Sequence, residues 1–107
     1  MKLPTVVADL VQAQNDFDNV AYAACFSETG EMLDEGKLYK GREAIAHLIA
    51  ETNEKYRSQM KPLAYTENGT ASVLSAEVSG TFPGSPAVLQ FHFDIIDDKI
   101  QYLKVTG

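Results

Sequence analysis

The spacing of apolar residues changes once along this chain, and that change restricts the fold more than any other feature. Before Pro62, apolar residues recur every three or four positions, which is the period of a helix that buries one face. After Pro62 they recur at every second position, which is typical of β-strands. Helices followed by strands joined through tight turns predict an α+β fold with a largely antiparallel sheet.

Three helices are predicted in the first half. The first has Pro4 in its first turn, where a missing N–H costs no hydrogen bond, and the second is capped by Asp16 or Asp18 and ends at Ser27–Gly30. The longest helix runs from Arg42 to about Ser58. The mostly apolar positions that recur at helical spacing are, in order along the three helices, Leu3, Val6, Val7, Leu10, Val11 and Gln14; then Phe17, Val20, Ala21, Ala24 and Cys25; then Ile45, Leu48, Ile49, Thr52 and Tyr56.

Tight turns separate the predicted strands. Glu35-Gly36, Asn68-Gly69 and Asp97-Asp98 are residue pairs that favour the positive φ angles of short hairpin turns. The strands predicted around them are Glu31–Asp34, Lys37–Lys40, Ala64–Glu67, Thr70–Phe82, Ala87–Asp97 and Lys99–Thr106.

Length and charge narrow the function classes. A chain of 107 residues predicts a single domain over 1–107. Nine Lys and Arg against fifteen Asp and Glu give a net charge of −6, which argues against nucleic acid and anionic membranes as partners. No apolar run reaches the about 20 residues of a membrane helix, and no leader-like segment precedes Pro4. With Cys25 as the single cysteine, these features predict a cytoplasmic protein.

The strand Ala87–Asp97 has two unlike faces. Leu89, Phe91 and Phe93 share one face, which predicts burial under helices or against a second subunit. Gln90 and His92 belong to the other, mixed face. That face is predicted either to line a pocket or to lie half exposed to water.

Two segments carry a resemblance to a known family. Phe26–Asp34 (FSETGEMLD) and Tyr39–Ile45 (YKGREAI) resemble the nuclear-transport-factor-2-like superfamily, which includes ketosteroid isomerases, SnoaL-like polyketide cyclases and limonene epoxide hydrolases. The resemblance implies a curved sheet wrapped around the helices as a cone, the cystatin-like arrangement, with an apolar pocket inside. It implies a homodimer through the convex face at Leu89, Phe91 and Phe93. The implied pocket lining is Leu10, Phe17, Phe26, Tyr56, Phe82, Val88 and Gln90.

Asp34 is the first candidate catalytic residue. By its spacing from Phe26 it resembles the general-base aspartate of ketosteroid isomerases. A carboxylate at a pocket wall loses hydration, which raises its pKa and makes it a better base near neutral pH. The alternative is a turn aspartate before Glu35-Gly36, bonded to its own backbone.

His92 is the second candidate, because its place on the strand resembles that of the isomerase oxyanion-hole acid. An imidazole there could donate a hydrogen bond or accept a proton; the alternative is a strand histidine bonded to a neighbour. The isomerase tyrosine of the first helix is replaced at about Leu10, which argues against steroid isomerisation. Asp34 with His92 fits cyclase chemistry better. The Asp-Arg-Asp set of the epoxide hydrolases is not matched, since the only arginines are Arg42 and Arg57.

The remaining residues suggest no cofactor and no metal. Two histidines and one cysteine without close spacing do not form a zinc site, and no phosphate loop or nucleophile elbow is present. His47 is predicted at the surface and Cys25 in apolar packing. Two hypotheses follow: a cofactor-free isomerase or cyclase that binds a small apolar molecule, or a non-catalytic ligand-binding or dimerisation module.

Overall fold

The computed structural model describes residues 1–107 as three helices and six strands. In chain order these are α1 Thr5–Asn15, α2 Asn19–Ala24, β1 Phe26–Asp34, β2 Lys37–Lys40, α3 Arg42–Tyr56, β3 Gln59–Asn68, β4 Ala71–Ser79, β5 Ala87–Ile96 and β6 Lys99–Thr106. None of the helices has both the length and the apolar character needed to cross a bilayer.

The six strands form one curved, open sheet in the order β2-β1-β6-β5-β4-β3. Every neighbouring pair is antiparallel except β1 and β6, which run parallel. The predicted α+β fold with a largely antiparallel sheet is therefore confirmed. Because of the parallel pair, the last strand of the chain, β6, lies between β1 and β5. Strands β1 and β5 therefore border the same interior space of the subunit.

The sheet bends at three irregularities in its register. They lie between Phe26 and Glu31, between Pro62 and Ala64, and between Asp94 and Ile95. Bulges of this kind bend a strand and increase its twist. The bending gives the sheet a concave face that wraps the helices and a convex face turned away from them.

The core lies between the helices and the concave face. Its largest fully buried side chains come from every layer, which shows that helices and sheet share one core; they are Phe26, Leu10, Ile45, Leu74, Ile100, Leu103 and Val7.

Hairpin turns lie where local chemistry predicts them. Glu35 and Gly36 have φ angles of 51° and 76°, and Asp97 and Asp98 have 51° and 61°. Positive φ at both central residues is the property of the turn type that matches strand twist. Gly69, with φ of 65°, lies in the turn between β3 and β4.

Three predicted element boundaries are wrong. Strand β4 ends at Ser79 and not at Phe82. Ser27–Gly30 does not end α2 but belongs to β1, which begins at Phe26. Strand β3 begins at Gln59, ahead of Pro62. Proline is tolerated there because β3 is an edge strand with an unpaired side.

Helix α2 presents a different side to the interior from the one that was predicted. Its cap is Asp18, whose carboxylate accepts a hydrogen bond from the Ala21 N–H at 2.9 Å. Tyr22 and Ala23 are buried, whereas Val20 is 70% exposed. The register set by the cap brings Tyr22, rather than Val20, to the interior.

The faces of β5 are the reverse of the assignment that the resemblance implied. Phe91 and Phe93 are buried, and Leu89 is partly buried against the core. These residues lie opposite buried residues of the neighbouring strands, Ala76, Leu74 and Leu103. The wholly apolar face is therefore concave, and Val88, Gln90 and His92 lie on the convex face. Leu89, Phe91 and Phe93 cannot form a dimer interface, because they are packed inside the subunit.

Candidate functional site

The concave face and the helices surround a cavity of about 410 Å³. Eleven of its seventeen lining residues are hydrophobic, and a volume of this order suits a small organic molecule. A larger groove of about 810 Å³ lies outside the cone against α1 and α2, but only six of its fourteen lining residues are hydrophobic. The cone cavity is therefore the better candidate for an apolar ligand.

Asp34 lies on the wall of this cavity. It is the last residue of β1, and strand alternation places Met32 and Asp34 on the concave face and Leu33 on the convex face. Burial raises the pKa of the Asp34 carboxyl, and the negative charge of Glu35 raises it further, against a smaller opposing effect of a backbone hydrogen bond. Asp34 is thus a carboxylate whose proton affinity is increased by an apolar wall.

Tyr22 lines the same cavity. Its side chain is 2% exposed. Burial is the main cause that raises the pKa of its phenol, and the nearby Asp34 carboxylate adds to it. The phenol therefore keeps its proton and can act as a hydrogen-bond donor beside Asp34. The signal for Tyr22 in the sequence was Asp18, because a cap there fixes which side of α2 faces inward.

A hydrogen-bonded amide group forms another part of the wall. The Gln14 side-chain nitrogen donates to Asn53 Oδ1 at 2.8 Å and to the Ser58 carbonyl oxygen at 2.7 Å. Gln14 and Ser58 line the cavity, and Gln14 and Asn53 are buried. The sequence showed Gln14 only as one more position on the inner face of α1.

Two of the predicted lining residues lie on the cavity wall. Tyr56, at the end of α3, and Phe82, after β4, both line the cavity. Their rings meet edge to face with centroids 6.1 Å apart and planes at 85°, an arrangement that aromatic pairs prefer.

Three other predicted lining residues do not reach the cavity. Leu10 and Phe26 are 0% exposed and belong to the packed core. Phe17 lies in the turn between α1 and α2 with a φ of 56°, and the Arg57 guanidinium covers its ring at 4.4 Å. The prediction failed here because apolar residues on an inner face can fill the core as well as line a pocket.

His92 lies on the convex face and is not brought together with Asp34. Its Nε2 is 2.9 Å from Thr106 Oγ1 on the neighbouring strand, so the alternative of a strand histidine bonded to a neighbour is the one observed. Phe91 takes the inward position next to it. Val88 and Gln90 share the outward face of His92 and do not line the cavity either.

The other reactive side chains lie away from the cavity. No group of His, Cys, Asp and Glu side chains is arranged to hold a metal ion. His47 is exposed and pairs with Glu51 at 2.8 Å on the surface of α3. The Cys25 thiol is buried, and burial, with a contribution from Asp9, raises its pKa to about 11. A thiol with that pKa is a weak nucleophile at neutral pH.

Comparison with known proteins places this geometry in a family. No family model and no curated protein sequence matches the chain. A crystal structure of a proposed polyketide cyclase from Sinorhizobium meliloti superposes with a TM-score of 0.92 at 31% identity, over 97% of this chain and 95% of that one. The chain belongs to the nuclear-transport-factor-2-like (SnoaL-like) superfamily.

Two further structures show how widely this SnoaL-like chain shares its fold. A proposed polyketide cyclase from Xanthomonas campestris has 28% identity and a TM-score of 0.78, over 94% of this chain and 85% of that one. A protein of ketosteroid isomerase-like fold from Catenulispora acidiphila, in complex with trimethylamine, has a TM-score of 0.89 over 99% of this chain and 87% of that one. Its identity of 18% establishes likeness of fold alone.

Proposed function

We propose that this SnoaL-like chain binds a small, largely apolar molecule in the cone cavity and catalyses its isomerisation or cyclisation with Asp34 as the general base. The observation that carries the proposal is a carboxyl of raised pKa on the wall of a mainly apolar cavity. A base of this kind is suited to removing a proton from carbon next to a carbonyl near neutral pH. The likeness to two proposed polyketide cyclases supports the cyclase branch.

The proposed reaction uses two side chains. Asp34 takes a proton from the carbon beside a substrate carbonyl, and the electron pair of the broken C–H bond moves onto the carbonyl oxygen. The Tyr22 hydroxyl donates a hydrogen bond to that oxygen as its negative charge develops. The resulting enolate either takes the proton back from Asp34 at another carbon, or attacks a second carbonyl to close a ring. In the second case the new alkoxide oxygen takes the proton from Asp34, which restores the carboxylate. Tyr22 would fill the role of the tyrosine that α1 lacks, and His92 has no part.

The pH dependence of turnover tests this assignment. Nitrobenzisoxazole opens to a coloured cyanophenolate when a base removes its ring proton, and it needs no cofactor. We expect its protein-catalysed opening to follow the ionisation of Asp34, with a midpoint above the about 3.9 of an ordinary aspartate. Glu35→Gln should move the midpoint to lower pH, because it removes a negative charge that raises the pKa of Asp34.

The matched control is Glu31→Gln, on the convex face of the same strand. We expect it to leave the midpoint in place, because Glu31 does not line the cavity. The same shift in both variants, or no protein-catalysed opening at any pH, would count against Asp34 as the base.

A non-catalytic ligand-binding protein is the second candidate. The position of His92 outside the cavity favours it, because the cavity then holds Asp34 without the histidine partner expected of a cyclase-type pair. Apolar ligands that bind in the cavity while no proton transfer is detected would select this candidate.

The partner proposed for the convex face is a second copy of this chain. Leu33 and Val73 are partly buried there, whereas Val88 is 48% exposed and Leu38 is 42% exposed. Sedimentation at micromolar concentration should report a dimer, and Val88→Lys should shift it towards the monomer. Val20→Lys, at an exposed valine of α2, is the control that should leave the dimer intact. A monomeric wild type, or equal effects of the two lysines, would contradict this interface.

A further inference from the structure

We infer that the cavity recognises a hydroxyl group of its ligand through the side-chain oxygen of Gln14. The inference deepens the proposed function, since it rests on the cone cavity being the ligand site and adds the chemical class of the ligand. The class is a largely apolar molecule without negative charge that carries an alcohol or phenol hydroxyl in addition to its carbonyl.

The orientation of the Gln14 carboxamide is fixed by its partners. Its nitrogen donates one hydrogen bond to Asn53 Oδ1 at 2.8 Å and a second to the Ser58 carbonyl oxygen at 2.7 Å. A backbone carbonyl can only accept a hydrogen bond. A flipped carboxamide would place two oxygens against each other at Ser58, so the nitrogen must face Ser58 and the oxygen must point elsewhere.

The Gln14 oxygen is the unused end of this group. No donor within the chain reaches it, although the residue is only 9% exposed. The side-chain polar atoms that are sealed from solvent without a partner are Asn53 Nδ2 and Ser72 Oγ. Because Gln14 Oε1 is not one of them and Gln14 lines the cavity, this oxygen is open to the cavity.

A ligand that fills the cavity must replace water at this oxygen. If the ligand offers no donor there, a buried acceptor is left without a hydrogen bond, which weakens binding. The Thr52 hydroxyl, which also lines the cavity, does not supply the donor, because it donates to the Ile49 carbonyl oxygen at 3.1 Å. No other side chain of the wall donates to the Gln14 oxygen in the structure, so a donor on the ligand fits this position.

The charges around the cavity argue against an anionic ligand. The lining includes Asp34 and Glu35 but no Lys, Arg or His. A ligand carboxylate would meet two acidic side chains and no counter-charge, which is unfavourable in a desolvated site. An uncharged hydroxyl satisfies Gln14 without that penalty.

The test compares an alcohol with its own methyl ether. Naphthalenemethanol and its methyl ether share the same apolar ring and the same oxygen, but only the alcohol has a proton to donate. We expect the wild-type protein to bind the alcohol about tenfold more tightly, as one buried hydrogen bond allows. Gln14→Met keeps the length of the side chain and removes the acceptor, so it should bring the ratio of the two dissociation constants close to one.

Two further variants isolate the Gln14 oxygen. Thr52→Val has nearly the shape of the wild type and should keep the ratio, because the Thr52 hydroxyl is already committed. Asp34→Asn should also keep it, which excludes the carboxylate as the acceptor and does not depend on the folding of Gln14→Met. Circular dichroism of each variant should be measured to check that the variant is folded.

Each remaining outcome overturns a defined claim. Equal binding of alcohol and ether by the wild type overturns the role of Gln14 and leaves the proposed function standing. If folded Gln14→Met still prefers the alcohol over the ether, or if Asp34→Asn loses that preference, the acceptor is another group. Either result also overturns the role of Gln14. If neither probe binds any of these proteins, the cavity is not a site for apolar ligands, and both the inference and the proposed function fail.

Discussion

Asp34→Asn is expected to slow the opening of nitrobenzisoxazole by roughly 10²–10⁴-fold, the range that a positioned general base contributes. Asparagine keeps the size of the side chain but cannot take a proton. Binding of naphthalenemethanol should survive, because the shape of the cavity and the Gln14 oxygen are unchanged. Initial rates and dissociation constants measured on the same preparations separate the two effects.

The matched control is Asp94→Asn, which makes the same substitution on the convex face of β5. It should leave both rate and binding as in the wild type, because Asp94 does not line the cavity. An Asp34→Asn protein that turns over as fast as Asp94→Asn would remove Asp34 from the mechanism.

The same variant has a second readout in stability. The folded-state pKa of Asp34 is raised above its unfolded value, so the protonated form favours folding. That contribution is fully present below the unfolded pKa of about 3.9 and is lost as the pH rises through the folded pKa. Asp34→Asn should therefore raise the free energy of unfolding at neutral pH, and the gain should shrink in acid. A turn aspartate that stabilises its own loop would give the opposite sign.

The order of elements could be predicted because it depends on local chemistry. The change of period near Pro62 separated helices from strands, and the last strand, Lys99–Thr106, has the bounds that were predicted. Glu35-Gly36 and Asp97-Asp98 form turns because these pairs adopt positive φ. None of these features requires knowledge of distant contacts.

The direction in which β5 faces could not be predicted in the same way. Period two shows that Leu89, Phe91 and Phe93 share a face, but not whether that face meets the helices or a second subunit. The answer depends on the parallel pairing of β1 with β6 and on where the helices pack. A shift of one residue in a strand exchanges its two faces, which is why the interior position is held by Phe91 and not by His92.

The residues of the candidate site also differ in whether the local sequence could predict them. Asp34 could be found because its spacing from Phe26 and its place before a turn are local. Gln14 was missed because its importance comes from Asn53 and Ser58, which lie far along the chain. Tyr22 was missed because the inward side of α2 was assigned to Val20. A polar residue on the inward face of a helix, as Gln14 is on α1, indicates a buried hydrogen-bonding role.

Phe26→Ala is expected to reduce mainly stability, and Phe82→Ala mainly ligand binding. Phe26 is 0% exposed and packs beside Tyr22 with ring centroids 6.1 Å apart. Its truncation should lower the free energy of unfolding by about 3–5 kcal/mol, a large share of the about 5–15 kcal/mol of a typical domain. Phe82 is only partly buried and lines the cavity. Its truncation should cost less stability but weaken the binding of naphthalenemethanol.

Urea unfolding and ligand titration of the two variants decide between core and pocket roles. The comparison is matched, because each variant removes the same phenyl group. Phe26→Leu provides a milder change if Phe26→Ala is too unstable for titration, and it should retain wild-type affinity because Phe26 does not line the cavity. Greater loss of affinity in Phe26→Leu than in Phe82→Ala would return Phe26 to the pocket wall. A greater loss of stability in Phe82→Ala than in Phe26→Ala would contradict the distinction between a packed core and an open cavity. The assignment of Asp34, Tyr22 and Gln14 to one site depends on that distinction.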